Sequence, residues 1–318
     1  MVEPIFLEGV LQEKIWGGKK LKERFGYNTL SDKTGELWAI SAHKNGPAKV
    51  TNGSYKGMSL NELWDTEKQL FGNQPGDVFP LLTKIIDAHS DLSVQVHPDD
   101  TYGLHHEGEL GKTECWYIID AEESSEIVFG HQAQSKRSFV EMIENEEWDK
   151  LLRYVKVKPG DFFYVPSGTI HAIGAGIMIL ETQQSSDTTY RVYDYDRKDN
   201  FGNTRPLHIS QSIDVTTIPH EDPLLEKKRE VIDGSVITTL ISNEFFTVQE
   251  WDINGNLPFQ AKSLYTLVSV LEGQGQLSVY DASYPINKGM HFILPHGIKD
   301  WSIEGELKII ASNPGTLK

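Results

Sequence analysis

The chain is poor in cysteine: Cys115 is the only one in 318 residues. No intramolecular disulfide can form, which fits a reducing compartment. No apolar run approaches the ~20 residues of a membrane helix. The opening run MVEPIFLEGVLQEKIWGG lacks the charged, apolar and small-residue order of a signal peptide. The expectation is a cytoplasmic protein without a membrane partner. Positive charge is scarce as well. Lys and Arg number 30 against 46 Asp and Glu, for a net charge of -16. So acidic a chain argues against nucleic acid as a partner. An anionic small substrate would need a local basic pocket. Also missing are a GxSxG elbow, a Walker loop and a GxGxxG in a βαβ unit. Gly273-Gln274-Gly275 lies between strand-like runs and reads as a hairpin.

What is present is the mix of a soluble globular protein, 38% hydrophobic and 24% charged, long enough for one large domain or two ordinary ones. Short alternating runs between Gly, Asn and Pro punctuation dominate, among them Gly35–Ser41, Pro80–Ile86, Leu92–His97 and Glu114–Ile119. They predict a mainly β protein of sandwich or barrel type. Helices are few and sit in the first two-thirds. Ser59 with Glu62 forms a capping box that opens a helix to Leu70, and Ser138 with Glu141 opens a helical region running to about Tyr154, with Asn145 and a cluster of acids as the place where it would break in two. Lys14–Gly26 is either a loop over a pocket or a short surface helix. Residues 101–111, with His105 and His106, read as a loop. The charged, Pro-containing stretch 219–232 reads as a linker. It divides the chain into residues 1–232 and 233–318.

Two segments repeat. PGDFFYVPSGTIHAI (159–173) and KGMHFILPHGIKDWSI (288–303) align Gly160, Phe163, Pro166 and Gly168 with Gly289, Phe292, Pro295 and Gly297. Each reads as a strand, a Pro-x-Gly turn and a returning strand. His171 in the first copy falls opposite Asp300 in the second. The expectation is two β-sandwich halves, of which only the first keeps a site.

The chemistry-bearing residues cluster in that first half. Strand alternation puts Ser93, Gln95 and His97 on one face of DLSVQVHPDD and Val94 and Val96 on the other. A polar face of this kind is costly to bury without partners. His97, Glu114 and His171 are a metal set suited to Zn²⁺ with an open position or to Fe²⁺ in a facial triad. Gln95 offers an amide oxygen as a further ligand. Lys112, two residues before Glu114, shares its face. Arg191 and Arg197, with Asp187 nearby, supply the basic pocket an acidic protein needs to hold a phosphate. Cys115 points away from Glu114 and reads as a buried small hydrophobe.

At LQEKIWGG, GELWAIS, LSVQVHPDD, GKTECWYII, VPSGTIHAIG and ETQQSSDTTYRVYDYDR the chain resembles the type I mannose-6-phosphate isomerases of the cupin superfamily, in their short bacterial form. The likeness covers nearly the whole chain. It implies two cupin (jelly-roll) domains, a catalytic one over 1–232 and a degenerate one over 233–318. It implies an aldose–ketose isomerase of mannose 6-phosphate and fructose 6-phosphate holding one Zn²⁺ per chain. By the family pattern Gln95, His97, Glu114 and His171 match the zinc ligands, and Arg191, Lys112 and Asp187 match active-site positions. Ser93 and Arg197 match positions associated with the substrate phosphate. The expected partner is a small-molecule sugar phosphate, and the oligomeric state stays open. Asp187, Glu114 and a zinc-bound water all remain candidates for the base. Two other readings stand beside this one: a cupin Fe(II) dioxygenase on the same two His and one Glu, and a non-catalytic sugar-binding cupin.

Overall fold

A computed structural model describes residues 2–199 and 201–315. Among these residues strands far outnumber helices, and they form three antiparallel sheets. One sheet runs in the order Phe162–Val165, Glu114–Asp120, Ile177–Gln184, Leu81–Ala88, Val10–Gly18, Thr34–Ile40. Facing it is a second, ordered Tyr190–Tyr193, Val94–Val96, His171–Ala172, Glu126–His131, Leu152–Lys156. The two close on an apolar filling that includes Trp16, Ile86, Trp116 and Ile179 from the first and Ile127 and Phe129 from the second. The third sheet is built mainly from residues 228–314.

Alternation explains this layering. Along Glu114–Asp120, Trp116 and Ile118 face the filling between the first two sheets, while Cys115 and Tyr117 face the third sheet across a second core. Cys115 is buried there, and burial pushes its thiol well above the usual range. Val94 and Val96, both 0% exposed, pack outward against Phe139, Ile143 and Leu151. Their strand is thereby pinned with Gln95 turned inward.

The N-terminal residues cross the expected division of the chain. Ile5–Glu8 pairs with His291–Leu294 and with Lys49–Val50, so two strands from the first fifty residues extend the third sheet.

The repeat is visible in the backbone. Phe162–Val165 and His291–Leu294 are the first strands, His171 and Asp300 begin the returning ones, and Gly168 and Gly297 turn between them at φ 85° and 102°. Only glycine takes that conformation freely. Asp300 is exposed, and the interior of the third sheet is filled by Trp251, Val268, Ile286, Phe292 and Ile303.

Several local expectations are corrected. The Ser59 helix is Leu60–Thr66, with Glu62 accepting from the Ser59 N–H at 2.9 Å, and it tightens into a 3₁₀ turn over Lys68–Phe71. The helical region expected from Ser138 starts earlier, at Lys136, because Ser135 and Ser138 cap each other; it breaks in two at Asn145, as read, into Lys136–Glu144 and Trp148–Leu151, and a strand begins at Leu152, short of the expected end. Residues 100–106 are helical, since the Asp99 carboxylate accepts from the Tyr102 N–H at 2.8 Å. Of the two readings of Lys14–Gly26 the short helix holds, over Lys20–Phe25, and the residues before it are the end of a strand. Lys228–Ile232 is an edge strand, so the linker is shorter than read. Gly273 and Gly275 lie inside the strand Thr266–Val279, where a Cβ would run into the Glu306 and Glu304 carbonyl oxygens. They serve close strand approach, and no turn.

Candidate active site

The polar face of the Val94–Val96 strand is one row of a built site. Gln95 pairs with His171 on one side and Arg191 on the other. Glu114 begins a strand of the facing sheet. The packing of the sheets brings the ligand atoms of His97, Glu114 and His171 within 4.8 Å of one another, all three residues buried. Among the described residues this is the only such group.

Each donor is aimed. The Nδ1 of His97 lies 2.9 Å from the Thr188 carbonyl oxygen, and that of His171 lies 2.8 Å from the Thr169 carbonyl oxygen. A carbonyl only accepts, so both Nδ1 atoms carry the proton and both Nε2 lone pairs point into the site. Burial, then the Lys112 ammonium, pushes the His97 pKa well down. Burial takes His171 to about 4. Both rings are neutral at pH 7, the state a metal ligand needs. The group already draws a cation: Lys112 Nζ sits 2.8 Å from Glu114 Oε2 and 3.0 Å from His97 Nε2. Burial opposes charge on Lys112, yet Glu114 and Glu181 outweigh it and hold its pKa above the ordinary range. Two neutral imidazoles, a buried carboxylate and an adjacent amide fit a divalent first-row metal.

A cavity of about 350 Å³ opens beside these donors. Ser93, Gln95, Lys112, Asp187 and Arg191 line it, so most of the sequence-derived residues meet there. The Arg191 guanidinium is half-buried, and burial and then Arg205 depress its pKa. Arg197 does not line the cavity. Its Nη2 donates to Asp194 Oδ1 at 3.0 Å, and that carboxylate also takes two bonds from Arg205, at 2.6 and 2.8 Å. Arg205, with His208, is on the cavity wall.

Two family models match the chain: the catalytic domain of type I phosphomannose isomerase over residues 5–128, and the cupin domain of mannose-6-phosphate isomerase over residues 236–314. A mannose-6-phosphate isomerase of Streptococcus mutans is 56% identical over 313 residues, 98% of this chain and 99% of that one. This chain belongs to the type I phosphomannose isomerase family. A crystal structure of the Bacillus subtilis mannose 6-phosphate isomerase superposes with a TM-score of 0.96 at 51% identity, covering 98% of this chain and 100% of the other. A phosphomannose isomerase variant from Salmonella typhimurium shares the fold at TM-score 0.78 and 14% identity, covering 99% and 100%. The cupin fold that the resemblance implied, and the β-sandwich character read from the repeat, agree with these matches.

The type I phosphomannose isomerase site holds further charges that sequence reasoning missed. Lys84 and Glu181, both buried, approach to 3.7 Å, and Glu36 accepts from Trp38 Nε1 at 2.7 Å and pairs with Lys14 at 3.3 Å. Burial and then Glu114 raise the Glu181 pKa against the pull of Lys112 and Lys84. Burial works against ionised Glu36, but Lys84 and Lys14 overcome it and bring its pKa to about 2. The available signal was one charge in an otherwise apolar strand, as in PLLTKII and GELWAI.

Proposed function

We propose that this chain is a zinc-dependent aldose–ketose isomerase that interconverts mannose 6-phosphate and fructose 6-phosphate. The observation that carries this reading is a set of aimed metal donors beside one cavity whose wall carries a guanidinium pair, Arg191 and Arg205. His97, Glu114 and His171 hold the ion, and Gln95 joins them through its amide oxygen. When bound, the ion supplies Lewis acidity toward the C1 and C2 oxygens.

The chain's residues supply the rest. Isomerisation moves a proton between C1 and C2 through an enediol(ate). Lys112 and Arg191 place fixed positive charge where the enediolate oxygens develop negative charge. Glu181, buried on the cavity wall with a raised pKa, is the group suited to take and return the carbon-bound proton. Asp187 is exposed, takes a 2.9 Å bond from Asn45 Nδ2, and orients a sugar hydroxyl at the cavity mouth. The neighbouring Arg191 and Arg205 repel each other until an anion separates their charges. A 6-phosphate meets that need, with Ser93 as a further donor and Arg197 steadying the clamp through Asp194.

The chemistry falls within residues 1–232, and residues 233–318 act as a structural module, in keeping with their apolar interior. Among the described residues no helix is long and apolar enough to cross a membrane. A cytoplasmic site of action fits the lone, buried Cys115.

Metal analysis coupled to an isomerase assay tests the reading. Chelated protein should be inactive on mannose 6-phosphate and recover with Zn²⁺. His97→Ala should lose more than about 100-fold, beyond the range set by outer ligands. Arg191→Ala should lose about 100-fold or more. Near-normal turnover in either variant overturns the proposal, as does bound iron with oxygen consumption, which would indicate a dioxygenase.

A further inference from the structure

We infer that Trp116 is a positioning residue: its single indole N–H ties Glu114 to Glu181 and so holds the Glu114 carboxylate in the orientation that meets the metal. The inference rests on the metal-site reading above and concerns a residue outside the donor set.

Trp116 Nε1 lies 3.0 Å from Glu114 Oε1 and 3.1 Å from Glu181 Oε2. The strand ladder produces this bridge. Trp116 is opposite Glu181 in the pairing of Glu114–Asp120 with Ile177–Gln184, and Glu114 is two residues back on the same face. Indole donates and never accepts, so one proton is shared between two buried carboxylates. Trp116, Glu114 and Glu181 are 1%, 0% and 3% exposed, so water offers no substitute donor.

The consequence is an asymmetric Glu114. Its Oε1 takes the indole N–H and lies 3.5 Å from His171 Nε2, while Oε2 lies 3.4 Å from His97 Nε2 and 2.8 Å from Lys112 Nζ. A carboxylate held at one oxygen has its plane fixed, so each oxygen keeps its own histidine opposite it. The same N–H anchors Glu181 through Oε2 and leaves its Oε1 without a hydrogen-bond partner. That oxygen faces only the Lys84 ammonium, at 3.7 Å, and can take a proton in the cavity. The ring is itself braced, edge-on to His171 with centroids 5.4 Å apart. Without the N–H, Glu114 would be held only by Lys112, through Oε2, and its carboxylate could rotate away from the two histidines.

The test uses intact protein loaded with Zn²⁺ or Co²⁺. Trp116→Phe removes the N–H, and benzothienylalanine at position 116 removes it while keeping the bicyclic shape, so it decides the matter should the Phe variant fail to fold. Metal affinity should weaken about 10- to 100-fold. The visible Co²⁺ spectrum should change, and kcat should fall with KM nearly constant. Variants that keep metal affinity within about twofold of wild type, far below an outer-partner effect, together with the wild-type Co²⁺ spectrum, overturn the role of Trp116 and leave the site reading standing. A wild-type protein that takes up neither metal overturns the site reading itself, and this proposal with it.

Discussion

Gln95 stands directly across the strand ladder from His171, and its side-chain Nε2 lies 3.3 Å from His171 Nε2. The imidazole proton sits on Nδ1, held by Thr169, so the amide donates to the very lone pair a metal would use. Turning the amide over presents its oxygen to the same point. Gln95 is thus poised between a hydrogen bond and a ligand bond. Gln95→Leu, which keeps the side-chain bulk, should bind Zn²⁺ about 10- to 100-fold more weakly in a competitive chelator titration. Unchanged affinity would remove Gln95 from the ligand set.

The cavity wall separates the roles of two arginines. Arg205 lines it, and Arg197 reaches it only through the shared Asp194 carboxylate. Loss of a charge-assisted bond costs about 1.5–3 kcal/mol, or roughly 10- to 100-fold. Arg205→Ala should raise KM for mannose 6-phosphate by that factor and leave weak turnover of unphosphorylated mannose unaffected. Arg197→Ala should act more mildly and in the same direction. Equal losses on both sugars would move the phosphate to another part of the cavity.

Glu181→Gln keeps an acceptor for the Trp116 N–H and removes the proton carrier. A drop in kcat of about 100-fold or more is expected, with KM changed little. Exchange of the substrate C2 hydrogen with deuterated solvent should slow in parallel. Normal exchange in this variant would point to Asp187 or a metal-bound water as the base.

Far from the metal donors, His291 links Tyr27 to the third sheet. Its Nε2 lies 2.8 Å from the Tyr27 Oη and its Nδ1 lies 2.9 Å from the Ser269 Oγ. Tyr27 donates to the Gly289 carbonyl at 2.9 Å, so it accepts from His291. Burial pushes the His291 pKa from 6.5 down to about 3. Between these values the unfolded chain binds a proton that the folded one does not. Stability should therefore rise with pH across that window and be lost as pH falls from about 6.5 toward 3, by ~1.4 kcal/mol per pH unit in its middle. Denaturant titrations between pH 6.5 and 4 should show a shallower slope for His291→Gln, whose amide can keep both bonds. Equal slopes would show that other groups carry the acid sensitivity.

Much of this was legible in the chain because its signals are local. Alternation in LSVQVH fixed which side chains share a face, the repeated Pro-x-Gly turns marked two related halves, and His97, Glu114 and His171 stood out as donor types. Capping was only partly legible: Ser138 does cap, but with Ser135 in place of Glu141, since both pairs satisfy the same short-range pattern.

What the fold alone decided is everything that depends on which strands become neighbours. Pairing of Gln95 with both His171 and Arg191 joins residues 76 and 96 positions apart. Ile5–Glu8 belongs to the far sheet because its pairing partner is His291–Leu294. Buried Lys84, Glu36 and Glu181 looked like isolated charges in separate strands. Charge burial is affordable only when opposite charge is close at hand, and sequence spacing carries no record of a neighbour supplied by another strand.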